Sequence, residues 1–95
     1  MPSLTSEELD LLRALGEQLK RSRLSRDDTQ SSTAARLGIS MPTYRKLEKG
    51  DPVVQIGLWI RAIRLYGDPG GIDTLFPLSL FDEGQGRQRA SRRQP

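Results

Sequence analysis

Apolar side chains recur at spacings of three and four from Leu9 through Leu12 and Leu15 to Leu19, which puts one stripe along a first helix of about Ser6–Leu24. Leu11 lies off that stripe, where an interface could use it. Thr5-Ser6-Glu7-Glu8 has the form of a capping box, with Thr5 at the N-cap and Glu8 reaching back to it. Acidic residues in the first turn and Lys20, Arg21 and Arg23 in the last complement the helix dipole. The pattern then breaks into shorter pieces. A second helix is predicted over about Gln30–Leu37 and a third over about Pro42–Lys49. The inward positions of the pair are Thr33, Leu37, Ile39, Tyr44 and Leu47, all apolar but the first. Asp51-Pro52 forces a loop, because the residue before a proline is steered away from helical angles. A fourth helix, about Gly57–Tyr66, sets Trp59, Ile60 and Ile63 on one side and Leu58, Ala62 and Leu65 on the other, so cover is expected on both faces. The cluster Gly67 to Gly71 is a turn, and a short fifth helix is expected at about Ile72–Phe76. Residues 76–81 alternate imperfectly and contain Pro77, which makes them an edge strand at best. From Asp82 onward the chain is rich in Gly, Gln and Arg, with almost nothing to bury, and is expected to be disordered when free.

The second and third helices form the most informative unit, residues 29–50. Ala34 permits close approach of the helix backbones, and Gly38 can take the positive φ that a tight turn between them needs. Ser40 suits the next N-cap. Pro42 fits the first turn, where its missing N–H would lack a partner anyway, and Gly50 closes the third helix. Two short helices around such a turn make a helix-turn-helix, a unit that lays its second helix in the DNA major groove. On a helical wheel Tyr44 and Leu47 point inward with Glu48 beside them. Pro42, Lys46 and Lys49 lie opposite, flanked by Thr43 and Arg45. The plain alternative is an amphipathic surface helix with a solvated basic face. On the groove-binding reading, Lys46 donates to guanine O6/N7, Thr43 meets bases or a phosphate, and Met41 and Pro42 touch a thymine methyl. Ser40, Arg45 and Lys49 are assigned to phosphates, which position a helix without reading sequence.

These residues resemble the Xre/Cro/cI-type helix-turn-helix family, which includes lambdoid phage repressors and HipB-like antitoxins. The resemblance covers about Leu15 to Leu78 and rests on LGEQLKRSRL (Leu15–Leu24), TQ (Thr29–Gln30), ARLGIS (Ala35–Ser40) and KLEKG (Lys46–Gly50). GDPVVQIGLW (Gly50–Trp59) is similar to the junction of the HipB-like branch. The resemblance implies an all-α, five-helix, lambda-repressor-like DNA-binding domain over residues 1–81 with a basic tail over 82–95. It also implies that Gln30, at the start of the second helix, bonds a backbone phosphate, and that Arg23 and Glu48 form a buried ion pair. The chain departs from the family pattern at Asp27 and Asp28, where a glycine and an apolar residue are common. Thr33 replaces a usual Leu or Ile, and Met41-Pro42 stands where polar base-reading side chains are often found. The first two departures imply a slightly thinner core around the second helix, and the third leaves the means of base reading open.

Composition narrows the function classes. Ninety-five residues, 35% of them hydrophobic, allow one small domain for which dimerisation would be a useful source of burial. Cysteine and histidine are both absent, which removes disulfides, thiolate chemistry, the commonest general base and the commonest metal ligand. No nucleophile–base constellation can be drawn, so an enzyme is not expected, and neither is a cofactor or a metal. Neither a membrane-spanning run nor a signal segment is visible, and a cytoplasmic, nucleoid-associated protein is expected. Trp59, the only tryptophan, is expected in the core or an interface. The net charge of +3 is unevenly spread: residues 20–50 carry eight basic against three acidic side chains, and residues 84–95 carry four arginines and no acid. Positive charge therefore collects where phosphates would be met.

The resulting expectation is a homodimeric, sequence-specific repressor on an operator with two half-sites. The HipB-like resemblance implies autoregulation of a toxin–antitoxin operon and a HipA-like kinase partner. Two alternatives stay open: a stand-alone phage-type repressor, and a protein-interaction module whose helix-turn-helix no longer binds DNA.

Overall fold

The computed structural model describes residues 3–76. Its helices are α1 (Ser6–Ser25), α2 (Gln30–Leu37), α3 (Met41–Lys49) and α4 (Ile56–Tyr66), followed by a 3-10 helix, Pro69–Thr74. The architecture is all-helical, and no strand occurs among the described residues. No described helix is long and apolar enough to cross a membrane. The segment 77–81, weighed above as an edge strand, and the tail 82–95 lie outside the described residues.

Local chemistry sets the boundaries. Thr5 accepts from the Glu8 N–H at 3.0 Å while Glu8 accepts from the Thr5 N–H at 2.9 Å, a complete capping box. Thr29 caps α2 by accepting from the Ser32 N–H, and Ser40 caps α3 by accepting from the Thr43 N–H. Gly38 and Gly50 end these helices at φ 71°, in the left-handed region. Asp27 is also left-handed, at φ 58°. That explains why a glycine would suit its position, and aspartate is among the residues that tolerate it.

Leu19, Leu37, Tyr44, Leu47 and Trp59 form the core together with Ala34 and Ala62. Residues Tyr44 and Leu47 are completely buried, so α3 is held by one apolar edge while its opposite face stays free. Helices α1 and α3 approach each other closely. A Cβ on Gly16 would overlap the backbone carbonyl of Glu48 and come within 2.8 Å of the Gly50 nitrogen. A Cβ on Gly50 would in turn overlap the carbonyl of Leu12. Two glycines therefore dock the end of the third helix directly onto the backbone of the first.

One expectation needs correction and a second is met in part. The short helix after the glycine cluster runs over Pro69–Thr74 rather than Ile72–Phe76, and it is 3-10. Asp68 accepts from the Gly70 N–H at 2.9 Å and starts the turn early, and two adjacent glycines disfavour a longer α-helix. The fourth helix has cover on both of its named sides, but not along its whole circumference: a strip through Ile56 and Ile60 stays open within the described residues. Trp59 and Ala62, one from each side, are buried and Leu58 and Leu65 pack against the core, whereas Ile60 is 36% exposed and Ile56, at the start of the helix, 69% exposed.

Thr33, expected to thin the core around the second helix, is tied in by hydrogen bonds. It is fully buried, its hydroxyl donates to the Thr29 carbonyl at 2.9 Å, and it lies 2.8 Å from the hydroxyl of Tyr66. Tyr66 donates to Asp28 at 2.7 Å, so the positions of two family departures, Asp28 and Thr33, are joined in one polar latch to the end of α4. Two hydroxyl protons serve these three contacts, so they are shared. Arg36 approaches the same carboxylate at 3.5 Å, and the Arg26 guanidinium stacks 5.3 Å from the Tyr66 ring centroid.

Candidate nucleic-acid interface

The caps and the buried edge of α3 together decide which side chains it presents. With Tyr44 and Leu47 inward, Pro42, Arg45, Lys46 and Lys49 are exposed on the other side. None of the three cations is in an ion pair among the described residues, whose salt bridges all lie elsewhere. Burial of one edge thus leaves a cationic surface with no ion-pair partner among the described residues, the electrostatic condition for meeting phosphates.

The remaining candidates are less alike. Met41 is half-buried and packs against the core, so its thioether is turned largely inward. Thr43 is also half-buried. Its hydroxyl accepts from the Ser40 Oγ at 3.0 Å, and its N–H donates back to that oxygen at 3.3 Å. Ser40 is exposed and occupied with this cap. The first turn of α3 therefore shows the solvent a proline, one edge of a threonine and a cap serine. The longer cationic reach comes from Arg45, Lys46 and Lys49, further along.

Beneath this surface lies a buried polar cluster. Arg23 donates through Nε to Glu48 Oε2 at 2.6 Å and through Nη2 to Oε1 at 3.3 Å, and Nη1 donates to the Asp28 carbonyl at 2.9 Å. The side chains of this pair are only 8% and 6% exposed. Tyr44 donates its hydroxyl to Glu48 Oε2. Gln30 donates Nε2 to Glu48 Oε1 at 3.0 Å. One carboxylate thus collects donors from α1, α2 and α3. Burial pushes the Glu48 carboxyl up, but the bonds from Arg23, Tyr44 and Gln30 outweigh it and hold the group below its ordinary value. Arg23 is raised, chiefly by its bond to Glu48. The Tyr44 hydroxyl is raised by burial first and by the adjacent carboxylate second.

Sequence reasoning placed Arg23 and Glu48 together and Gln30 apart from them at a phosphate. The structure brings all three together with Tyr44. The i,i+4 spacing of Tyr44 and Glu48 was a signal for one of these bonds, but the Gln30 bond crosses between helices and left no local trace. Arg61 was also missed. It donates to the Leu37 carbonyl at 2.9 Å, satisfying a backbone group at the end of α2 that its own helix cannot. Among the described residues there is no His, Cys, Asp and Glu cluster that could hold a metal ion.

A family model described as a helix-turn-helix domain matches residues 14–71, more than half of the chain. No curated protein matches it.

Proposed function

The chain belongs to the helix-turn-helix domain family, a DNA-binding type used in transcription regulation, and from that premise we propose a sequence-specific repressor that acts as a homodimer on an operator with two half-sites. The observation that carries the proposal is the cationic outer face of α3, where Arg45, Lys46 and Lys49 stand exposed and without carboxylate partners among the described residues. In this reading Lys46 donates to a guanine edge, while Pro42, the open edge of Thr43 and the remaining exposed edge of Met41 border the same base pairs. Arg45, Lys49, Ser40 and Gln30 hold backbone phosphates.

A homodimer is supported by Val53, Ile56 and Ile60, apolar and exposed on the loop before α4 and on α4 itself. A second copy would cover them and set two recognition helices one DNA turn, about 34 Å, apart. The apolar side chains of Leu78–Phe81 would add to this interface, and that segment lies outside the described residues. Residues 1–81 would form the domain, and residues 82–95 a basic arm that follows phosphates at the nucleoid. The more specific reading, a HipB-like antitoxin that represses its own operon and binds a HipA-like kinase, draws mainly on the Gly50–Trp59 junction.

Sequencing the genomic fragments retained by the purified protein tests these layers together. The proposal expects one enriched motif with two related half-sites, beside the gene for this chain and, for the antitoxin reading, a kinase gene. The same motif without a toxin gene would leave a stand-alone repressor. No enrichment over random fragments would favour the protein-interaction module.

A further inference from the structure

Glu48 sits on the recognition helix but faces away from the surface that meets DNA, and its carboxylate is almost fully enclosed. Arg23 and Tyr44 already hold it in place. The third element to reach it, Gln30 of α2, has no evident need of it: Gln30 is half-buried and could turn to solvent. Its bond to Glu48 has a definite consequence. A carboxylate only accepts hydrogen bonds, so the amide nitrogen of Gln30 must face it, and the amide cannot flip. That nitrogen carries two hydrogens, and Glu48 engages one. Gln30 is also the first residue of α2, where the Thr29 hydroxyl satisfies only the Ser32 N–H of the opening turn.

We infer that Glu48 is a positioning residue for DNA binding, which locks the Gln30 amide and so fixes the phosphate anchor of α2 in register with the base-facing side chains of α3. The inference rests on the DNA-binding reading given above. Glu48 and Lys46 share one helix, so a phosphate held through Gln30 and a base edge held through Lys46 are tied to a single rigid element. A long, polar side chain loses rotamer freedom when it binds, and a side chain already held in place loses less. Arg23 balances the carboxylate charge that would otherwise repel a nearby phosphate.

Glu48→Gln is the discriminating change. The Oε2 position takes the short Arg23 Nε bond and the Tyr44 hydroxyl, so the new amide keeps its oxygen there and sets its NH2 at the Oε1 position, which gives up the 3.3 Å contact with Arg23 and reverses the Gln30 amide. Kd for an operator selected from random DNA would be measured for the wild type, Gln30→Ala, Glu48→Gln and the double variant. Each measurement is made well below that variant's melting temperature, with helicity checked by circular dichroism. Tyr44→Phe serves as the structural control, since it removes a different bond to the same carboxylate and leaves the Gln30 lock intact. If Glu48→Gln does not fold, Glu48→Asp withdraws the carboxylate from Gln30 while keeping its charge and takes its place in the set.

Gln30→Ala and Glu48→Gln are each expected to weaken binding about tenfold, as for loss of one bond to a charged group. The double variant should be no weaker than either single one, and Tyr44→Phe should lower the melting temperature with Kd unchanged. Additive losses, an unchanged Kd in Glu48→Gln, or an equal loss in Tyr44→Phe would overturn the positioning role. A wild type that selects no DNA would overturn the DNA-binding reading itself, an outcome distinct from additive losses in a protein that does bind.

Discussion

Replacing Arg23 by methionine removes the cation paired with Glu48 and leaves a carboxylate with a 6% exposed side chain still inside the protein. Tyr44 and Gln30 remain as donors. Breaking a buried pair from one side costs about 3–5 kcal/mol, and the two surviving bonds point to the lower end, about 3 kcal/mol. For a domain of this size each kcal/mol moves the melting temperature by about 4–8 °C, so a fall of at least about 12 °C is expected. The acid limb supplies a second readout. In the wild type the folded carboxyl lies below its ordinary value of 4.5, so its contribution is complete above that pH and is lost as the pH falls through the depressed value. Without Arg23 the burial that pushes the carboxyl up is opposed by fewer bonds, and protonation relieves the variant at higher pH than the wild type. The gap in melting temperature should therefore narrow as the pH falls from 7 to 4. Pairing Arg23→Met with Glu48→Leu should recover much of the loss, because an apolar pair of similar volume avoids the desolvation penalty. Thermal melts followed by circular dichroism measure all three effects. A fall of less than about 4 °C, the scale of a surface pair, or a gap that does not depend on pH, would refute the argument that this pair is buried and braces the interface.

Lys46→Ala should weaken operator binding by about 1–3 kcal/mol and relax preference at one base pair, whereas Lys49→Ala should weaken binding on every sequence and flatten the salt dependence by about one ion; gel shifts on specific and random DNA separate the two, and equal losses on both would undo the division of roles. Gly16→Ala forces α1 away from the end of α3 and should cost roughly 1–3 kcal/mol or more, which a urea titration would record as a lower midpoint. Burial first, and an adjacent carboxylate second in Tyr44, raise both tyrosine hydroxyls above their ordinary value of 10.0. Their contribution is intact below that pH and lost as the pH rises through the raised values, so stability should decline above pH 10 with phenolate absorbance appearing late. Ionisation of both tyrosines near pH 10 in the folded protein would contradict the enclosed positions given to them.

The helix-turn-helix was legible because its punctuation is local. Thr29, Gly38, Ser40 and Gly50 act through cap bonds or positive φ within a few residues, and these mark α2 and α3 to within one residue at each end. The inward edge of α3 followed from spacing alone, and the outward edge by elimination. What escaped depends on contacts between elements. Gly16 gives no sign in its own helix that a carbonyl from α3 lies against it. The latch of Asp28, Thr33 and Tyr66 joins residues 38 positions apart and makes apparent departures from an apolar pattern into matched partners. Met41 shows the limit of a wheel drawn for one helix, since its long, flexible side chain at the N-terminal edge bends back to the core. The 3-10 helix at Pro69 was misplaced because glycine spacing marks a turn without setting its handover point.

The central claim is that the cationic face of α3 reads a DNA sequence, and the ratio of affinities tests it most directly. Fluorescence anisotropy at physiological salt would compare one duplex recovered by selection with a scrambled duplex of the same length and composition. Sequence-specific recognition predicts binding to the selected duplex at least about a thousandfold tighter, with Lys46→Ala reducing that ratio. Equal affinity for the two duplexes, or binding to neither, would contradict the account.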